Sequence, residues 1–143
     1  MGRVRDILRT KGSVVFSVAP QVTVYEGIEL MCSKNVGGLL ITENEKPVGI
    51  FTERDYARKV VLMGKSSKST PLREVMTTKL ITVSSDHTVE DCMTIMTDKH
   101  IRHLPVVDGE ELAGLISIGD VVRFVIQEQR DIIDQLENYI TGH

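Results

Sequence analysis

Tryptophan is absent from this 143-residue chain, and aromatic rings are limited to three Tyr and three Phe. So few rings argue against the aromatic platforms on which single-stranded nucleic acids stack. Cysteine occurs only at Cys32 and Cys92, too few for a disulfide framework and without metal-ligand spacing, which points to a reducing, cytoplasmic setting. No apolar run approaches the roughly 18 residues of a membrane-crossing helix. The opening Met1-Gly2-Arg3-Val4-Arg5-Asp6 carries charge but no following apolar stretch, so no secretory signal is expected. Basic runs are missing too: 17 Lys and Arg face 20 Asp and Glu, a formal charge of −3, which disfavours nucleic acid as a partner. What remains is an ordinary globular composition, 41% hydrophobic and 26% charged. A chain of this length buries roughly 68% of its extended surface, enough for a core.

What the chain does have is an internal repeat. Val18-Ala19-Pro20-Gln21-Val22-Thr23-Val24 lies over Val83-Ser84-Ser85-Asp86-His87-Thr88-Val89 at an offset of 65 positions, and that register continues without a gap for about forty residues. It sets Met31 on Met96, Leu39 on Leu104, Gly49 on Gly114, Asp55 on Asp120 and Arg58 on Arg123. Upstream, Val4-Arg5-Asp6-Ile7-Leu8 resembles Leu72-Arg73-Glu74-Val75-Met76 at an offset of 68, so the first copy has three additional residues near Gly12.

Both copies predict the same order of elements. Val14 to Val18 and Leu80 to Val83 are short, β-branched, extended runs. Thr23 and Thr88 stand where a helix is capped, and Asp91 three residues beyond Thr88 makes a capping box. Gly37 to Thr42 and Leu104 to Val107 form the next strands, then tight turns lead into Val48 to Phe51 and Ala113 to Ile116. The Asp108-Gly109 pair is a strong hairpin signal. A second helix begins after Thr52 or Ser117. The unit is β-α-β-β-α, an α/β (α+β) class, and two such copies are expected to pack sheet to sheet with pseudo-twofold symmetry. The boundaries are 1–64 for the first copy with its leading helix, 65–70 for a polar linker ending before Pro71, and 71–143 for the second copy.

Two strings now carry a resemblance. Gly49-Ile50-Phe51-Thr52-Glu53-Arg54-Asp55 and Gly114-Leu115-Ile116-Ser117-Ile118-Gly119-Asp120 each read Gly, two apolar residues, Thr or Ser, two variable residues, Asp. With Ile101-Arg102-His103-Leu104-Pro105-Val106-Val107-Asp108, they make the chain resemble a tandem pair of cystathionine β-synthase (CBS) domains, a Bateman module, from about Val4 to Val125. A hydroxyl at the amino end of a helix and a carboxylate three residues on face one small volume. An ionised Asp accepts hydrogen bonds only, and its two oxygens suit adjacent hydroxyls such as a ribose diol. The plainer reading is that Thr52 and Ser117 are N-caps with a favourable acid in the first turn. The resemblance implies the ligand use: an adenosine compound in the cleft between the copies.

It also implies an asymmetry. The phosphate-facing positions are Arg102 and His103 in the second copy but Gly37 and Gly38 in the first, and Arg54 matches Gly119. All three cationic candidates are therefore expected on the site of Ser117 and Asp120, where Arg offers a planar fork of donors and His gains charge beside an anion. The adenine is expected against Val22, Val36 and Gly37, with Ile116 grouped among the ligand-binding residues. The Thr52 and Asp55 site is expected to be weak, empty or limited to nucleosides. Plainer alternatives stand beside these: surface pairing of Arg54 with Glu53 and of Arg102 with Asp108, close strand packing at Gly37-Gly38, and Cys92 as a buried apolar residue. His100 and His103 lack the companions of a zinc site, and no metal is expected.

No nucleophile with an adjacent base and no phosphate-cradling Gly-rich loop is evident, so the chain reads as a non-enzyme. After Asp120, the residues Val121, Val125, Ile132, Ile133, Leu136 and Ile140 continue at helical spacing. This long last helix either folds back on Val4, Ile7 and Leu8 or pairs with a second copy, and the resemblance implies the homodimer. The expected function is regulatory: binding of AMP, ADP, ATP or NAD shifts the angle between the copies, and an unidentified partner protein reads it. The alternative is a structural or interaction homodimer with a vestigial cleft.

Overall fold

The computed structural model describes residues 2–12 and 15–142. Helix α1 is Val4–Lys11, followed by strand β1 at Ser17–Val18, helix α2 at Val24–Lys34, and strands β2 at Gly38–Glu43 and β3 at Lys46–Thr52. A short helix, α3 at Glu53–Asp55, widens into a π-helical turn over Tyr56–Val61. After a single 3-10 turn at Leu72–Glu74 come helix α4 at Val89–Lys99, strands β4 at His103–Asp108 and β5 at Glu111–Ser117, and helix α5 at Ile118–Thr141.

The repeat is legible at atomic scale. Thr23 accepts the Glu26 amide to start α2, and Thr88 with Asp91 forms the expected capping box of α4. Both helices end on a left-handed residue at matching positions, Asn35 at φ 54° and His100 at φ 55°. β2 pairs antiparallel with β3, and β4 with β5, and both hairpins carry an irregularity at the same place, Ile41/Thr42 and Val106/Val107. In the first repeat β1 lies parallel to β2, Val18 opposite Ile41. The expected strand Leu80–Val83 differs: it reduces to one parallel bridge, Val83 to Val106. That bridge is the same pairing moved by 65 positions. Of the other expected strand, Val14 lies outside the described residues.

Packing exchanges the leading segments. Val4 and Ile7 of α1 are buried with Leu104, Val106, Ile116 and Val121, in the core of the second repeat. Leu72 and Val75 are buried with Leu39, Ile41 and Phe51, in the core of the first. The glycine that opens each of the two Gly-to-Asp strings marks this exchange. A Cβ on Gly114 would come within 2.7 Å of a Leu8 methyl, and one on Gly49 within 2.5 Å of the Met76 sulfur. Leu8 and Met76 are themselves repeat-equivalent, so each Gly admits the leading segment of the other copy.

α5 behaves as two halves. Phe124 and Val125 pack against the second core beside α1, the fold-back considered above. Farther on, Ile132, Ile133, Leu136 and Ile140 are each more than half exposed, Ile140 at 80%. Among the described residues no helix is long and apolar enough to cross a membrane.

Candidate functional site

The ends of β3 and β5 present the two hydroxyl–carboxylate pairs. Thr52 Oγ1 accepts the Asp55 amide at 3.3 Å while Asp55 Oδ2 accepts the Thr52 amide at 3.0 Å. Ser117 and Asp120 repeat this at 3.2 and 2.8 Å. Both are therefore N-caps, as the plainer reading had it, and both carboxylates are nonetheless buried, with residue exposures of 7% and 8%. A buried carboxylate requires partners. Asp55 receives the Thr77 hydroxyl at 3.0 Å and the Lys59 ammonium at 3.2 Å. Asp120 receives the Lys11 ammonium at 2.6 Å and the Arg123 guanidinium at 2.7 Å.

Three cavities flank these groups: one of about 450 Å³ reaches Asp120 from the α1–α5 side, past Lys11, Phe124 and Gln127, and the other two share Gly37 and His103. Of these two, one, of about 280 Å³, is lined by Thr52, Asp55, Arg54, Arg102, Gly37 and His103. The other, of about 340 Å³, is lined by Ser117, Asp120, Lys11, Arg123, Val36 and again Gly37 and His103. They are the two halves of one cleft, joined at Gly37 and His103. Their volumes sit near the lower end of the range for small-molecule sites.

This corrects the expected convergence of charge. Arg54 and Arg102 line the half-cleft of Thr52 and Asp55, not that of Ser117 and Asp120, and only His103 reaches both. Arg54, just after β3, donates to the His100 carbonyl just before β4, so the start of β4 lies beside the end of β3. Of the expected adenine wall, Val36 and Gly37 line the Ser117 half, whereas Val22 packs against the first core. Ile116 is fully buried in the second core, and its neighbour Leu115 lines the cavity instead. Strand side chains alternate, so a reading one residue out of phase exchanges core for cleft. Repeat-equivalent Phe51 and Ile50 show the same alternation: Phe51 is core and Ile50 lines the other cavity.

The expected surface pairs do not form. Asp108 accepts from the Ser85 amide at 2.9 Å and from its hydroxyl, and Arg54 donates to the His100 carbonyl. Among the described residues neither Arg54 nor Arg102 has a carboxylate partner in an ion pair. The glycine pair seats His103: a Cβ on Gly38 would lie 3.2 Å from its ring, and one on Gly37 2.7 Å from the Glu53 carboxylate. Close packing and an open cleft thus go together at this point.

Titration follows from these surroundings. Burial pushes the His103 imidazole below its ordinary value, Lys11 and Arg102 push the same way, and Asp120 opposes them. The charged His103 expected from the sequence is not what these neighbours favour; a phosphate beside it would act in the opposite sense. Burial raises the Asp120 carboxyl, but hydrogen bonds from Lys11 and Ser117 outweigh it and leave the group below its ordinary value. Since folding depresses it, Asp120 contributes stability fully above about pH 4, and that contribution is lost as pH falls through its folded value. Cys92 is buried, and desolvation, helped by Asp91, raises its thiol to about 11, an apolar and unreactive residue.

Sequence reasoning missed Lys11, Arg123, Thr77 and Lys59. Arg123 and Lys59 had a local signal, since a cation three or four positions beyond an acid shares its helix face. Lys11 and Thr77 had none, because the exchange of leading segments brings them to carboxylates 109 and 22 positions away.

Comparison with known proteins agrees with the repeat. The family model described as CBS domain matches residues 4–62 and 72–127. The CBS domain-containing protein CBSX3, mitochondrial, of Arabidopsis thaliana is 40% identical over 97% of this chain and 72% of its own length. The crystal structure of the CBS-domain containing protein ATU1752 from Agrobacterium tumefaciens superposes with a TM-score of 0.80 at 35% identity, covering 85% of this chain and 97% of the other. The CBS domain pair of protein MJ0100, solved in complex with 5′-methylthioadenosine and S-adenosyl-L-methionine, superposes with a TM-score of 0.79 at 25% identity, over 90% and 98% of the two chains.

Proposed function

The chain belongs to the CBS domain family, with two such domains in tandem, and from that premise we propose that it is a regulatory module holding an adenine nucleotide between its repeats. The ligand is AMP, ADP, ATP or NAD. Its ribose diol meets Thr52 and Asp55, and its phosphate lies at the junction of the half-clefts, toward Arg54, Arg102 and His103. The observation that carries this reading is the gathering of two guanidinium groups without carboxylate partners beside a buried Asp in one cavity. Arg is suited to phosphate by its planar fork of donors. The adenosine ligands of MJ0100 support the ligand class.

The groups of the cleft supply hydrogen bonds and charge rather than bond-making chemistry, so the role is sensing. A ligand that contacts both repeats favours the angle at which its contacts are best, and a partner protein distinguishes the angles. This requires unequal ligand affinity for the two arrangements.

Calorimetry with AMP, ATP, NAD and adenosine tests the reading. AMP is expected to bind with submillimolar affinity and more tightly than adenosine. Absence of binding by all four at millimolar concentration would favour the second reading, an interaction module with a vestigial cleft. One feature does favour an interaction role in its own right, the exposed face of α5 with Val122, Ile126, Ile133 and Leu136. Their spacing follows an apolar seam with one gap at Gln129. A second copy covers that seam in our reading, whichever function holds. Light scattering then gives twice the chain mass of 16.0 kDa; a particle of one chain mass at micromolar concentration would refute the dimer.

A further inference from the structure

We propose that Lys11 is a built-in occupant of the Asp120 carboxylate and sets which ligands the Ser117 half-cleft admits, namely those whose own anionic group can take over its ammonium. The inference rests on the reading of the cleft as an adenosine site and extends it to the half that the guanidinium groups of Arg54 and Arg102 do not line.

An ionised carboxylate only accepts hydrogen bonds. At Asp120, Oδ2 accepts from the Ser117 amide at 2.8 Å and from Lys11 Nζ at 2.6 Å, and Oδ1 accepts from Arg123 at 2.7 Å. A ribose diol seeking Asp120 meets an ammonium already in place. Lys11 also donates to the Leu115 carbonyl at 2.6 Å, so it bridges the carboxylate and the strand that leads to it. Displacing it leaves a positive charge with one neutral acceptor in a partly enclosed cavity. A neutral nucleoside offers nothing in exchange, while a phosphorylated one offers the ammonium a new anion.

The other half-cleft shows the contrast. There the exchanged segment delivers Thr77, whose hydroxyl sits 3.0 Å from Asp55 Oδ1, while the ammonium that Asp55 does meet, Lys59 at 3.2 Å, comes from four residues on in its own helix and shares Oδ1, leaving Oδ2 to the Thr52 amide and hydroxyl. A hydroxyl rotates away without stranding a charge. The exchanged leading segments therefore reach both carboxylates, one with a cation and one with a neutral donor, and this difference lies outside both heptad strings. Lys11 can be released without unfolding α1. Val4 and Ile7 anchor the helix in the second core, while Lys11 stands in its last turn on a flexible four-carbon stem with its side chain 33% exposed.

The experiment measures adenosine and AMP binding by calorimetry on the full chain, with Asp55→Asn silencing the first half-cleft. Adding Lys11→Met, which keeps most of the stem and removes the charge, is expected to strengthen adenosine binding about tenfold and to reduce the preference for AMP over adenosine by a similar factor. Lys11→Arg keeps the preference. Lys11→Gln is a second charge-free variant should Lys11→Met prove unstable by thermal denaturation. Unchanged adenosine affinity in the charge-free variants, or no binding at all, overturns the proposal. Its failure is separable from that of the nucleotide reading. If the wild type binds AMP and Lys11 variants change nothing, only the role of Lys11 falls. If the wild type binds no AMP but Lys11→Met gains adenosine, only the phosphate preference of the first half-cleft falls.

Discussion

Ile7→Ala lowers the unfolding free energy by about 2–5 kcal/mol and disturbs the second repeat rather than the first, in which its codons would place it. The magnitude is that of truncating a buried branched side chain where the surroundings relax only in part. The location follows from the exchange of leading segments. Ile7 is 2% exposed and packs with Leu104, Val106 and Ile116, more than ninety positions farther along the chain. Methyl NMR of the folded variant should therefore show its shifts at those residues, with Leu39 and Ile41 undisturbed. Leu72→Ala is the mirror experiment. It belongs by sequence to the second repeat but packs with Leu39, Ile41 and Phe51, and its shifts should fall there. As the two sites lie in separate clusters, the double variant should lose the sum of the single losses to within about 0.5 kcal/mol. Shifts confined to the repeat that carries the substitution in sequence would contradict the exchange.

The same exchange explains which parts of the molecule could be read in advance. The repeat was legible because hydrophobic, Gly and Asp positions recur with the period of one folding unit, and helix caps at Thr23 and Thr88 are local signals. The strand expected at Leu80 to Val83 is shorter than its residues suggest. β-branched residues favour extension, but here only Val83 finds a partner, Val106. The two hydroxyl–carboxylate pairs were legible as a motif, since a cap and the third residue of a helix are neighbours by geometry alone. The distribution of charge was not. Whether Arg54 and Arg102 attend Asp55 or Asp120 depends on how the repeats meet, and no periodicity encodes that. Ile116 differs from its expected place by a single step in a strand, where one position separates core from cleft.

That distribution of charge leads to the second large effect. Arg54 and Arg102 line the cavity of Thr52 and Asp55 and are exposed, so each contact with a phosphate contributes about 1 kcal/mol rather than the larger value of a dry, buried pair. Removing both is expected to weaken AMP binding on the order of thirtyfold, about 2 kcal/mol, with a cost that shrinks as salt is added. Adenosine carries the same diol and base but no phosphate, and Asp55 is untouched. Its affinity should stay within about twofold, since nothing that the two guanidinium groups hold is part of it.

The most direct measurement is accordingly a paired titration, AMP and adenosine, of the Asp120→Asn protein, in which the Ser117 half-cleft is silenced, and of the same protein carrying Arg54→Ala/Arg102→Ala. The account predicts that AMP falls to the level of adenosine while adenosine does not move. Equal losses for both ligands, or an AMP affinity that survives without either side chain, would place the phosphate elsewhere and contradict it.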